Sequence, residues 1–197
     1  MKRSLAIISA FSLIHSFPTL ATSADFSATV KVQNTVVLSK GEDLSFGTIR
    51  AVAQDDGAQV ATLTINPNPN AAIKTTKTDA GDALISVIEE GSPATFTVSD
   101  VVPNAILTIT KPGAGRLESA SKGAGEPQFS IDDWTFFITS GPNINTPYDD
   151  LTAKLIASED GEVEFAIGAT LSTDNLATTV PYKDVEYTGT FQIEVAY

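Results

Sequence analysis

The stretch EVEFAIGATL, residues 162–171, sets Val163, Phe165, Ile167, Ala169 and Leu171 on one phase and Glu162 and Glu164 on the other. A period of two, carried by aromatic and β-branched side chains, describes a β-strand with one face in a core and one in water. The same period recurs on both sides of it. FSATVKV alternates Phe26, Ala28, Val30 and Val32 against Ser27, Thr29 and Lys31. AQVATLTIN carries Ala61, Leu63 and Ile65, AILTIT carries Ala105, Leu107 and Ile109, and LTAKLIA carries Leu151, Ala153, Leu155 and Ala157. No window shows a 3.6-residue period with caps.

The punctuation between these runs agrees. Asp56-Gly57, Glu90-Gly91 and Asp160-Gly161 offer turn residues that tolerate positive φ. The NPNPN run at 66–70 cannot be strand interior, because its prolines lack ladder donors. Roughly nine to eleven short strands at this spacing predict an all-β chain, an antiparallel β-sandwich of immunoglobulin-like kind. The segment 111–128, small, polar and Gly-rich, reads as a surface excursion with a short strand near Arg116 to Ser119. Its two GAG triplets precede no Lys-Ser/Thr pair, so they make no phosphate loop.

Lys2 and Arg3, the apolar run from Leu5 to Phe17, Pro18 and the small residues ATSA read in that order as a secretory signal peptide over residues 1–24, cut after Ala24 or Ser23. The competing reading, an uncleaved anchor, has only those 13 residues against the ~20 that a span needs. Removing 24 residues from 197 leaves 173, one domain over 25–197. Losing Lys2 and Arg3 leaves 10 basic against 24 acidic residues, a net charge of −14. Such a surface repels phosphate backbones and anionic lipid, which argues against nucleic-acid partners and peripheral membrane binding.

The chain has no Cys, and its single His, His15, lies in the signal segment. Thiol and His-based catalysis and ordinary zinc sites therefore lack an essential residue, and no enzyme, metal or cofactor is expected. Four acidic pairs, Asp55-Asp56, Asp132-Asp133, Asp149-Asp150 and Glu159-Asp160, lack the Asp-x-Asp-x-Asp-Gly spacing of a calcium loop. They read as turn chemistry on a solvated surface. In FSIDDWTFF, residues 129–137, Phe129 and Ile131 share one phase while Trp134 and Phe136 share the other. The change of phase at Asp132-Asp133 predicts a bulge or tight turn there. Trp134 reads as a core ring, with a sugar-stacking platform as its alternative.

The last stretch, YTGTFQIEVAY, alternates from Tyr187 through Gly189, Phe191, Ile193 and Val195 to Tyr197. A strand edge of this kind offers unpaired backbone groups that a partner's extended segment completes. In the order LSFGTI (44–49), ATFTVSDVVPNAILTIT (94–110), FAIGATLS (165–172) and YTGTFQIEVAY, these blocks resemble a family of exported bacterial proteins named as a domain of unknown function, itself similar to chaperone–usher fimbrial subunits.

The resemblance implies a pilin-like sandwich exported to a Gram-negative periplasm, cell surface, fimbrium or medium. It also implies that a periplasmic chaperone and like subunits are partners, in a homopolymer. Tyr187, Gly189, Phe191, Ile193, Val195 and Tyr197 match the strand that such a chaperone grips. Phe26, Ala28, Val30 and Val32 are then a donor strand or the domain's own first strand. The expected function is a non-catalytic structural subunit assembled by strand complementation. The alternative is a self-contained, adhesin-like binding module for glycan or protein. Because the mature chain lacks Cys and His, thermal unfolding with and without chelator or reductant should coincide. A midpoint lowered by many degrees in chelator would instead reveal a calcium site among the acidic pairs.

Overall fold

A computed structural model describes residues 24–25, 27–30, 32, 35–54, 58–176 and 181–197. The signal segment expected at 1–24 and Asp56-Gly57 lie outside the described residues, apart from Ala24. Among the described residues there is no helix. The strands in chain order are β1 (Val37–Lys40), β2 (Thr48–Val52), β3 (Thr62–Ile65), β4 (Thr75–Thr78), β5 (Leu84–Glu89), β6 (Ala94–Ser99) and β7 (Ile106–Thr110). They continue with β8 (Gly115–Ser119), β9 (Phe129–Ile138), β10 (Thr146–Pro147), β11 (Leu155–Ile156), β12 (Val163–Ser172), β13 (Tyr187–Thr188) and β14 (Glu194–Ala196). Every ladder is antiparallel.

β12 is the hub. Along its length it pairs with β9; on its other side it pairs first with β6, through Val163 to Ile167, and then with β3, through Thr170 to Ser172. The nine-stranded sheet built this way runs β1-β6-β12-β9-β8-β13, with β3, β4 and β10 attached off that path. The core phase of the sequence is obeyed: Val163, Phe165, Ile167, Ala169 and Leu171 are all at most 2% exposed, and Ala166 and Gly168 on the other phase are buried as well. Burial of each large apolar side chain contributes about 1.5–3 kcal/mol.

Two small sheets supply the opposing layer of the sandwich. The sheet β11-β7-β14 brings Leu107, Ile109 and Leu155 into a cluster with Val98, Ile138, Val163 and Phe165. The pair β2-β5 brings Ile85 into a second cluster with Leu63, Ile65, Phe129, Ile131 and Leu171. β9 and β12 therefore each serve both clusters, and one of the sheets curls strongly into a half-barrel.

The curl needs irregularities, and both long strands have one. Gly168 pairs with Thr135 and Thr170 with Asp132, so Asp133 and Trp134 on β9 face Ala169 alone. Asp133 takes φ +49°. This is the bulge read from the change of phase, and it lets Phe129 and Ile131 point to one cluster and Phe136 and Ile138 to the other. On β12 the irregular point is Gly168, where β6 ends as a neighbour and β3 takes over. A Cβ there would lie 2.0 Å from the Ile65 carbonyl oxygen and 2.9 Å from the Pro67 nitrogen.

Other expectations fare unevenly. The short strand within the excursion is β8, and the NPNPN run turns β3 into β4 on side-chain bonds in which Asn66 accepts from the Asn68 N–H and Asn68 from the Asn70 N–H. LTAKLIA, expected as one strand, is ladder only at β11, and Leu151 is 88% exposed. The Asp149 carboxylate accepts the backbone N–H groups of Leu151 and Thr152 and closes a turn there. The strand expected over FSATVKV is not formed by its described residues: Ser27 to Val30 and Val32 are exposed and belong to no ladder. Alternation selects a face; without a neighbouring edge it makes no strand.

The contact at Gly168 is backbone against backbone, so no rotamer change relieves it. Gly168→Ala should destabilise the protein by about 1–3 kcal/mol or more, read as a lower urea midpoint. A wild-type midpoint for Gly168→Ala would show that β3 does not sit against β12 as described.

Candidate functional site

Sequence reading pointed to the two alternating segments at residues 26–32 and 187–197, and the second is well described. It was expected as one strand and is two. Tyr187 and Thr188 form β13 on β8, opposite Ser119 and Glu118. Glu194 to Ala196 form β14 on β7, opposite Thr110 to Thr108. Between them the chain leaves the nine-stranded sheet and joins the three-stranded one. The alternation survives in part, because it records a face and not a partner: Tyr187, Phe191, Ile193 and Val195 are half-buried and the even positions exposed, while Gly189 and Tyr197 of the inward phase are exposed too.

The inward side chains divide between the clusters. Tyr187 and Phe191 pack on the cluster of Phe129, Ile131 and Leu171. Ile193 and Val195 pack on the cluster of Phe165 and Ile138. Tyr187 meets Phe129 edge-on at 5.1 Å between centroids, and Phe191 meets Trp134 at 4.9 Å. Trp134 is thus a wall of both clusters, and its Nε1–H donates to the Gly113 carbonyl at 3.2 Å. Gly189 crosses over β8, where a Cβ would come within 2.6 Å of the Arg116 carbonyl oxygen. Tyr197 is half-exposed, and its hydroxyl accepts the Val102 N–H at 3.2 Å.

β14 has a ladder partner on one side alone among the described residues, and so has β1, which pairs with β6. Both edges border the same cluster, on which Val36 and Leu38 pack from the β1 side and Ile193 and Val195 from β14, all four half-buried. Val36 and Leu38 were missed in the sequence, because the run TVVLS has no clean alternation; their even phase, shared with Ala28, Val30 and Val32, was the available signal. Phe26 lies outside the described residues, while Ala28, Val30 and Val32 are exposed, Val30 by 87% and Val32 by 73%. The structure divides the C-terminal residues between β13, on β8, and β14, on β7, with Ile193 and Val195 at the β14 edge, and places the described N-terminal ones in no ladder.

A sequence profile described as a domain of unknown function (DUF4402) matches residues 35–197. The chain belongs to this family. No curated protein and no solved structure matches it. The DUF4402 match takes in all fourteen strands found among the described residues and starts after Val32. Two of the blocks quoted above keep the fold in this DUF4402 domain. In LSFG, Ser45 bridges to Ser92, Phe46 is buried, and Gly47 takes φ +76° with its Cα so near Glu89 that a Cβ would lie 2.1 Å from that residue's carbonyl oxygen. In YTGTF, Gly189 has the close approach already described.

The polar groups near the rim are occupied in holding it. Tyr148, 8% exposed, accepts the Ile109 N–H of β7 at 2.9 Å and donates to the Asp150 carboxylate. Burial, and next the bond to Asp150, push its hydroxyl up to about 12. The Asp149 carboxylate is held below its ordinary range by the Leu151 and Thr152 N–H groups it accepts. Among the described residues no three Asp or Glu converge as metal ligands.

The two shifts bound stability in opposite directions. Folding holds the Tyr148 proton more tightly than the unfolded chain does, so that contribution is complete below about pH 10 and is lost as pH rises toward 12. Asp149 is the reverse: its contribution is present above about pH 4 and is lost as pH falls through its lowered value. Tyr148→Phe keeps the ring but strands the Ile109 N–H, and should cost about 1–3 kcal/mol in urea unfolding at neutral pH. A variant as stable as wild type would remove Tyr148 from the support of β7.

Proposed function

We propose that this chain is a non-catalytic structural protein of the bacterial surface, a fimbrial-type subunit whose copies join by strand complementation. The observation that carries this reading is a mismatch between two parts of the chain. Ala28, Val30 and Val32 alternate as a strand does, yet they are exposed and in no ladder. Among the described residues β1 and β14 each have a ladder partner on one side alone, next to core side chains that are only half-buried. An extended segment from another copy would gain main-chain bonds along such an edge and bury apolar side chains against the half-covered cluster.

In this reading Ile193 and Val195 shape the accepting rim, Tyr187 and Phe191 anchor the segment that leads into it, and the residues from Phe26 to Val32 are donated. A periplasmic chaperone would hold the rim until a like subunit replaced it. The mature surface, rich in carboxylates and without Cys or His, fits a protein exported to the periplasm or beyond, with no cofactor.

Val30→Asp tests it on protein recovered after export. Placing a carboxylate on the donated face should abolish oligomers, because its burial in a partner is costly. It should leave the unfolding midpoint of the monomer within about 0.5 kcal/mol of wild type, as at an exposed site. Size-exclusion chromatography and urea unfolding read the two effects. If Val30→Asp destabilises a protein that is monomeric throughout, the segment belongs to its own sandwich and the self-contained binding module is the better account.

A further inference from the structure

The outer side of the nine-stranded sheet carries a regular array of hydroxyl groups. Leu63 and Ile65 of β3 point to the core, so Thr62 and Thr64 stand on the other face. Thr64 is opposite Thr76 of β4 on one side and Thr170 of β12 on the other. Two residues along, Thr62 is opposite Thr78 and Ser172. Ser130 of β9 extends the second row beside Ser172, and Arg116 of β8 closes it; Asp132 ends the first row beside Thr170. With strands ~4.8 Å apart and alternate residues ~6.7 Å apart, the second row runs about 19 Å across five strands.

A preference of strands for Thr explains some of these positions and not their uniformity. The outer faces of the small sheets are mixed: Ile106 stands opposite Ile156 on one, and Ile88 and Arg50 are exposed on the other. Here the six central positions, on three strands, all carry a hydroxyl. The groups also orient one another, since the Thr64 and Thr170 Oγ1 atoms share a hydrogen bond of 2.9 Å. On a chain of net charge −12, the two rows themselves carry one carboxylate, Asp132, and one guanidinium, Arg116, both at the same end.

We infer that this face binds a neutral polysaccharide lying across the strands. Each Ser or Thr hydroxyl donates and accepts, which is the chemistry of a sugar hydroxyl. An anionic polymer would meet a single guanidinium, Arg116, offset by the carboxylate of Asp132, and would be repelled by the acidic remainder of the surface. One hydroxyl per strand in each row suits a ligand with a regular repeat. The array lies within one copy of the chain, so binding does not depend on strand complementation.

Co-sedimentation of the folded, exported protein with insoluble cellulose and with chitin, at low and high salt, tests the assignment. Wild type should sediment with at least one of the two, equally at both salt concentrations. Thr62→Val/Thr64→Val/Thr170→Val preserves side-chain branching and removes three hydroxyls. Its affinity should fall about tenfold, equivalent to one or two net hydrogen bonds. Thr76→Val/Thr78→Val, confined to the exposed strand β4, should weaken binding in the same direction without touching the sheet interior. Thr108→Val, on the three-stranded sheet, should bind as wild type. Absence of sedimentation with both polymers, loss of binding at high salt, or full binding by both multiple variants with wild-type unfolding midpoints would each overturn the proposal.

Discussion

Everything in this fold is arranged around the approach of β3 to the middle of β12. One strand can be hydrogen-bonded to two neighbours at a time, yet β12 serves three, because β6 leaves its edge at the point where β3 arrives. The exchange is possible only where the hub strand has no side chain, at Gly168. The same strand joins both apolar clusters, Val163, Phe165 and Ile167 in one and Ala169 and Leu171 in the other. A loss of fit there would be felt by both clusters, which gives the core its unity in the absence of a disulfide.

Much of this was legible in the sequence because side-chain period is a local property. The inward residues of β3, β7, β9 and β12 follow directly from alternation, and the bulge at Asp133 follows from its interruption. What was not legible was pairing. Nothing in YTGTFQIEVAY shows that its first two residues bond to β8 and three of its last four to β7, since partner choice depends on tertiary geometry. FSATVKV has as good an alternation as any strand, but none of its described residues enters a ladder. LTAKLIA failed for a nearer reason: Asp149 bonds to the backbone at Leu151 and Thr152 and outcompetes the strand. In the candidate site the inward phase of Tyr187, Phe191, Ile193 and Val195 was legible, whereas the packing of Val36 and Leu38 on the β1 side was not.

The glycines of the quoted blocks separate fold-keeping from chemistry. Gly47, Gly168 and Gly189 all stand where another backbone comes too close for a Cβ. Residues held by such close approaches serve architecture and leave chemistry to the surface. On this chain the surface differs from face to face. The outer side where β3 meets the end of β12 is hydroxylated, the outer side of β7 and β11 carries isoleucines, and the rims hold half-covered core side chains. Similar strands thus present three chemically different exteriors.

The crossing of residues 187–197 from one layer to the other also has a mechanical meaning. A tensile load applied to this segment along its axis would meet the β14–β7 ladder and the β13–β8 ladder one after the other. Each is antiparallel, so the pull shears its bonds together instead of opening them singly. The two ladders belong to different layers, and the segment between them is held by Phe191 against Trp134. Tension entering at one sheet is thereby passed to the other through the backbone, and the aromatic contact resists slippage at the crossing. The segment is a tie between the layers as well as a part of each.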